Sequence, residues 1–203
     1  FGGKEFPILT TSWYNARNYI YADTQNGDVM NDALYDLYKL TGEDKYAVAA
    51  HAFDEDSLFE LIRTDGKNVL NNRHANTTIP KIIGALKRYE VLDGKEVNGE
   101  KVDASEYLET AEIFWQMVVD HHTYATGGNS EWEHFGEDDV LTRERTNCNC
   151  ETCNVYNMLK LTKELFMVTG DVKYADYYEN AFINHILASQ NPETGMTTYF
   201  QAM

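Results

Sequence analysis

Apolar residues recur every three or four positions along most of this chain, and only three prolines, Pro7, Pro80 and Pro192, interrupt its 203 residues. That period matches the turn of a helix with one buried face, so the spacing predicts an all-α protein. The clearest stretch is 105–122, where Leu108, Ala111, Trp115, Val118, Val119 and His122 share a face behind Ser105 as a candidate cap. Ile79, Ile82, Ile83, Leu86 and Tyr89 form a second stripe within 76–92. Val155, Met158, Leu159, Thr162, Leu165 and Phe166 form a third, in a helix that begins near Thr152. Pro80 fits the early part of its helix, where a missing N–H costs least.

The chain also repeats itself. Leu37-Tyr38-x-Leu40-Thr41-Gly42-Glu43-x-Lys45-Tyr46 returns 128 residues later as Leu165-Phe166-x-Val168-Thr169-Gly170-Asp171-x-Lys173-Tyr174. Glycine takes the left-handed conformation that ends a helix, the acidic residue favours the next N-terminus, and the tyrosine begins the next buried stripe. Each copy therefore reads as a helical hairpin. A less similar hairpin joins its helices through Asp93-Gly94 and the polar stretch Lys95–Ala104. The hairpins cover about 28–62, 76–122 and 152–190 of a single domain, giving about six helices. Such units bury their faces only by stacking into a solenoid or a closed α/α toroid. A segment of about 123–150 breaks the helical pattern, and a loop that long between helices is usually functional.

A formal net charge of −16 repels phosphate backbones and anionic membrane surfaces, which argues against a nucleic-acid or membrane partner. No apolar run approaches a membrane span, and Phe1-Gly2-Gly3-Lys4-Glu5 lacks the basic-then-apolar order of a signal peptide. Nothing in the sequence names a compartment. The three cysteines, Cys148, Cys150 and Cys153, fall within six positions, which excludes a disulfide framework across the fold.

The chemistry concentrates in and beside the long loop. Asn147-Cys148-Asn149-Cys150-Glu151-Thr152-Cys153 runs into a helix N-terminus, where extended backbone would let Cys148 with Cys150, or Glu151 with Cys153, meet one ion. Thiolate and carboxylate together suit zinc, and the helix N-terminus favours the thiolate. The plainer alternative makes one or two of these cysteines small buried hydrophobes. Glu131, Glu133, Glu137, Asp138 and Asp139 surround Trp132, His134 and Phe135. A glycosidase needs two groups flanking its bond and aromatic faces to hold the sugar, and Glu133, set between Trp132 and His134-Phe135, is the candidate general acid. An acidic surface loop with aromatic anchors would look the same in composition. His74 opens a helix, where a neutral ring can bind a hydroxyl, although a lone histidine is more often structural. His121 and His122 diverge by about 100° on a helix and are set aside as a chelating pair. His51 and His185 carry no stronger claim.

Three separated motifs then match one family. Gly127-Gly128-Asn129-Ser130-Glu131-x-Glu133-His134-Phe135-Gly136, Glu151-Thr152-Cys153-Asn154-x-Tyr156-Asn157-Met158-Leu159 and His74-Ala75-Asn76-Thr77-x-Ile79-Pro80 resemble the zinc- and cysteine-dependent β-L-arabinofuranosidases of glycoside hydrolase families 127 and 146. The resemblance covers about residues 28 to 190. It implies an (α/α)6 barrel, of which these hairpins make about half, and hydrolysis of terminal β-L-arabinofuranosides on plant-type glycans with retention. It further implies an oligosaccharide as the partner and a cysteine nucleophile that is also a ligand of Zn2+. By the same matching, Glu133 is the acid/base, Glu151 and Cys153 are two of four zinc ligands, His74 binds the sugar, and Asn31 in Met30-Asn31-Asp32 is a further substrate contact. The family's adjacent Cys-Cys pair, which supplies nucleophile and last ligand, has no match here, and Cys148 and Cys150 do not replace it. The expectation is a partial catalytic domain, inactive alone, whose exposed helix faces favour self-association. The alternative from another class is a helical-hairpin interaction module with a structural zinc at the three cysteines.

Overall fold

A computed structural model describes residues 30–64, 66–143 and 145–203; the readings on Phe1–Glu5 and on the start of the first hairpin at 28 lie outside them. Among the described residues the chain forms α1 (Asn31–Thr41), α2 (Asp44–His51), α3 (Asp56–Thr64), α4 (Ala75–Leu92), α5 (Ser105–His121), α6 (Thr152–Thr169) and α7 (Val172–Ala181). A π-helical turn, Phe182–Leu187, continues α7. Among the described residues the one sheet is a two-stranded ribbon of β1 (Glu96–Val97) and β2 (Glu100–Lys101). The all-α expectation holds.

The repeated motif is one geometry used twice. Gly42 and Gly170 end α1 and α6 with φ of 68° and 69°, each donating its N–H to a carbonyl four residues back at 2.8 Å. Thr41 and Thr169 each donate a hydroxyl hydrogen bond to the carbonyl four residues before them at 2.8 Å. Each hydroxyl oxygen then accepts the N–H of the following acidic residue, Glu43 or Asp171, at 3.2 Å. Asp171 also caps α7 by accepting from the Lys173 N–H, a bond that Glu43 does not make.

Three local expectations are corrected. The first hairpin region holds a third helix, α3, because Phe53 and Asp54 turn back onto the end of α2 through the Ala50 and His51 carbonyls. The stretch 95–104 is more than a polar connection: Asn98-Gly99, with φ of 52° and 82°, make the tight turn of a β-hairpin. Ser105 is not the cap of α5; it is the first helical residue, and Asp103 accepts from its N–H and hydroxyl at 3.1 and 2.7 Å.

Helix α4 packs against α1, α5 and α6 and is buried almost all round. Ile79, Ile82, Ile83 and Leu86 are wholly enclosed, yet so nearly are Lys81, Lys87 and Arg88. Each cation meets carboxylates from its neighbours. Lys81 pairs with Glu55, Lys87 lies 3.5 Å from Glu164 and 3.8 Å from Asp36, and Arg88 donates to Asp54 at 2.7 Å. Asp54 also accepts from the Tyr35 hydroxyl at 2.5 Å and from Asn31 Nδ2 at 3.1 Å, and His51 meets both Arg88 and Asp54, so five side chains share one buried cluster. Arg88 lies over the Tyr107 ring at 4.2 Å, which draws α5 onto the same cluster. Gly84 permits the close approach of α1: a Cβ there would stand 2.1 Å from the Asn31 side chain.

Tyr178, Phe182, Ile183 and Leu187 leave an exposed apolar stripe along α7 and the π turn. Among the described residues no helix is long and apolar enough to cross a membrane.

Removing one partner of a buried ion pair leaves an uncompensated charge, so Asp54→Ala is expected to cost about 3–5 kcal/mol in urea unfolding. Gly84→Ala is expected to cost about 1–3 kcal/mol through overpacking against Asn31. A loss under 0.5 kcal/mol for both would show that this cluster does not hold α1 to α4.

Candidate active site

Two helix N-termini define the site. His74 is the N-cap residue of α4 and Glu151 that of α6, and neither side chain caps its own helix. Both side chains are therefore left for other partners. The segment 131–135 lies alongside His74, tied by the Ala75 N–H to the Glu133 carbonyl at 2.8 Å and the Phe135 N–H to the Arg73 carbonyl at 3.0 Å. On its other side the Trp132 N–H donates to the Cys148 carbonyl and the Cys150 N–H to the Ser130 carbonyl, at 3.0 and 3.1 Å. The last described segment closes the frame, with Gln201 N–H on the Asn149 carbonyl at 2.9 Å and Thr152 N–H on the Tyr199 carbonyl at 3.0 Å.

This frame brings four expected residues into one chain of contacts. His74 Nε2 lies 3.3 Å from Glu133 Oε2, and the Tyr199 hydroxyl lies 3.5 Å from Glu133 Oε1. The same hydroxyl donates to Glu151 Oε1, and the Cys153 thiol meets the Glu151 carboxylate. The bond to Glu151 holds the Tyr199 phenol well above its ordinary range, so it stays a proton donor. Burial and the adjacent Glu151 raise the Cys153 thiol. Glu133 remains 39% exposed at its side chain, open to an incoming molecule.

Asn31 lies elsewhere. Its amide is fully enclosed and donates to Asp54 and to the Lys81 carbonyl, packed on Gly84. Lys81 and Gly84 stand seven and ten residues along α4 from His74, about 10–15 Å at 1.5 Å per residue. Burial and hydrogen bonding thus give Asn31 a packing role between α1 and α4.

Tyr199 is the site residue that sequence reasoning missed. It follows the last helical segment in a stretch with no periodic pattern, 48 positions from Glu151, and carries no local signal.

The three thiols do not converge. Cys148 bonds Asn147 Oδ1 at 3.5 Å, Cys153 meets Glu151, and Cys150 is fully buried with a φ of 52° that breaks the extended run. Among the described residues no group of three or more His, Cys, Asp or Glu side chains is placed to hold a metal ion. Glu151 and Cys153 do fit part of a zinc site: their donors are a carboxylate oxygen and a sulfur, and Glu151 Oε2 is buried without a hydrogen-bond partner. An orphaned buried carboxylate oxygen is costly unless a cation or donor meets it.

Behind the site, Gly127 and Gly128 let the loop press onto α7 and the π turn. A Cβ on Gly128 would stand 2.6 Å from Cys150 Sγ and 3.0 Å from His185 Nδ1; one on Gly127 would stand 2.5 Å from Ala181 Cβ. Burial pushes the Cys150 thiol up to about 12 and the His185 imidazole down to about 4. Below the segment, His122 faces Asp138 at 3.2 Å and His121 faces Asp139 at 2.9 Å. Burial lowers the His122 pKa, whereas the hydrogen bond to Asp139 raises that of His121. The histidine pair set aside as chelators thus anchors the acidic end of the loop.

The sequence profile described as β-L-arabinofuranosidase, GH127 catalytic domain, matches residues 12–203. Among solved structures the chain resembles the GH127 β-arabinofuranosidase BT3674, with a TM-score of 0.66 and 21% identity over 87% of this chain. It also resembles an inactive variant of the α-1,6-mannanase GH76A of Salegentibacter sp. HEL1_6, solved with α-1,6-mannotetrose, with a TM-score of 0.55 and 16% identity over 83% of this chain. The chain spans 28% of the first structure's length and 48% of the second's. No curated protein matches the sequence. At these identities the two structures speak for the fold alone.

His185 predicts a pH dependence with a definite sign. Its folded pKa of about 4 lies below the ordinary 6.5, so as pH falls the unfolded chain takes up the proton first. Stability is unaffected above about pH 7 and is lost as pH drops from about 6.5 to about 4, by up to about 1.4 kcal/mol per pH unit. Urea unfolding of the wild type and His185→Gln between these limits tests this; parallel curves would exclude it.

Proposed function

Since the chain belongs to the GH127 β-L-arabinofuranosidase catalytic-domain family, we propose that its site serves a glycoside hydrolase that removes terminal β-L-arabinofuranosyl residues from plant-type oligosaccharides with retention. The observation that carries this reading is the contact chain from His74 through Glu133 and Tyr199 to Glu151 and Cys153. It sets a partly exposed carboxylate, able to exchange protons with a glycosidic oxygen, beside a buried carboxylate and thiol able to hold zinc.

Glu133 is the acid/base in this reading. His74 Nε2–H and the Tyr199 hydroxyl face its two oxygens and orient them. Tyr199 has one proton, which it donates to Glu151, so its oxygen accepts from Glu133 when that carboxyl is protonated. Protonation of the leaving oxygen by Glu133 assists departure of the sugar alcohol as a cysteine thiolate bonds the anomeric carbon, and the resulting Glu133 carboxylate then deprotonates the water that displaces that sulfur. Glu151 and Cys153 would hold the zinc, with two further ligands outside these 203 residues. Bound there, zinc would supply a positive charge that keeps cysteine sulfur deprotonated against the upward pressure of burial. Because the two donors here are half of a tetrahedral set, turnover belongs to a longer polypeptide and the 203 residues alone are inactive.

In the full-length enzyme, Glu133→Gln is expected to lower turnover of arabinofuranosides with sugar leaving groups by about 10²–10⁴-fold and that of activated aryl glycosides far less. Equal losses on both would remove Glu133 from the acid role. Glu151→Gln and Cys153→Ser are expected to abolish stoichiometric zinc, measured by elemental analysis after gel filtration. Full zinc content in both variants would sink the metal assignment.

A further inference from the structure

Trp132 immediately precedes Glu133, and its side chain is 61% exposed, whereas Trp115 is packed in the core. A solvent-facing indole forgoes the burial that ordinarily repays so large an apolar group. Its backbone is unusual as well. Ser130, Trp132 and Glu133 have φ of 73°, 47° and 66°, all in the left-handed region that non-glycine residues seldom occupy. Such strain persists only where surrounding contacts impose it, and it clusters at functional sites.

Here the contacts are explicit. The Trp132 N–H donates to the Cys148 carbonyl at 3.0 Å, and its carbonyl accepts from His134 Nδ1 at 2.7 Å. A carbonyl only accepts, so Nδ1 of His134 carries the proton. The His134 ring then meets the His74 ring edge-on, with centroids 5.1 Å apart. The histidine that orients Glu133 thus also braces the one that holds the Trp132 peptide, and the fold expends strain on an indole that it leaves exposed.

We propose that Trp132 is the platform for the sugar ring on the leaving-group side of the bond, so that the enzyme favours arabinofuranosides whose aglycone is itself a sugar. The inference rests on the acid role of Glu133. Its oxygens face His74 and Tyr199, and Tyr199 leads on to Glu151 and Cys153, where the retained sugar is attacked. The departing half must lie over surface beside Glu133 that those residues do not occupy, and Trp132 is the exposed aromatic joined to it. Sugar rings present C–H groups that pack on the negative face of an indole, a contact that a small alcohol cannot make.

The test compares kcat/KM of the full-length enzyme on a β-L-arabinofuranosyl disaccharide and on the methyl glycoside. Trp132→Ala is expected to lower the disaccharide-to-methyl ratio by about tenfold, mainly through KM, and Trp132→Phe to restore most of it. In the Glu133→Gln background, the disaccharide is expected to shift tryptophan emission, and Trp132→Phe to abolish the shift. An unchanged ratio in Trp132→Ala overturns the platform while leaving the acid role of Glu133 intact. A wild-type enzyme that cleaves neither compound overturns the glycosidase reading and the platform together.

Discussion

Arg88 is held inside the helical assembly by Asp54, and the position of α4 follows from that pair. A guanidinium at this depth is tolerable only with a carboxylate in contact. Asp54 meets that demand while also accepting from Tyr35 and Asn31, so the junction of α2 and α3 and the start of α1 converge on one point of α4. Lys81 and Lys87 repeat the device with Glu55, Asp36 and Glu164. A helix that carries three buried cations cannot rotate or slide without breaking all three pairings. The N-terminus of α4, and with it His74, is located by charge as well as by apolar packing.

The loop that carries the candidate site is built on the opposite plan. It has little periodic structure and is positioned by backbone hydrogen bonds to 72–75, 146–150 and 199–203. Five non-glycine residues with left-handed φ, Ser130, Trp132, Glu133, Asp139 and Cys150, fall within this loop. Rigid helices supply His74 and Glu151 at fixed N-termini, and the strained loop places Glu133 and Trp132 against them.

Much of this was legible before any coordinates. The Thr-Gly-acidic-x-Lys-Tyr repeat foretold two helix ends with the same hydrogen bonds, because the residues that terminate and restart a helix act within a few positions. His74 and Glu151 at helix starts, and the long loop after α5, were legible for the same reason. Helix α3 was not, since the break at Phe53–Glu55 has no glycine or proline and depends on Asp54 being drawn to Arg88, 34 residues away. The Asn98-Gly99 hairpin did have a local signal, and the polar composition around it masked the turn.

Sequence alone determined the helical class, the places where helices end, and the residue types able to exchange protons or bind zinc, since all of these depend on near neighbours along the chain. Tertiary structure alone decided which of those residues meet. It brought Tyr199 between Glu133 and Glu151 and withdrew Asn31 into the packing of α1 against α4. It also packed Cys150 against Gly128 beside His185. Each outcome depends on contacts between segments tens of residues apart, and no spacing or composition encodes the register in which such segments pack.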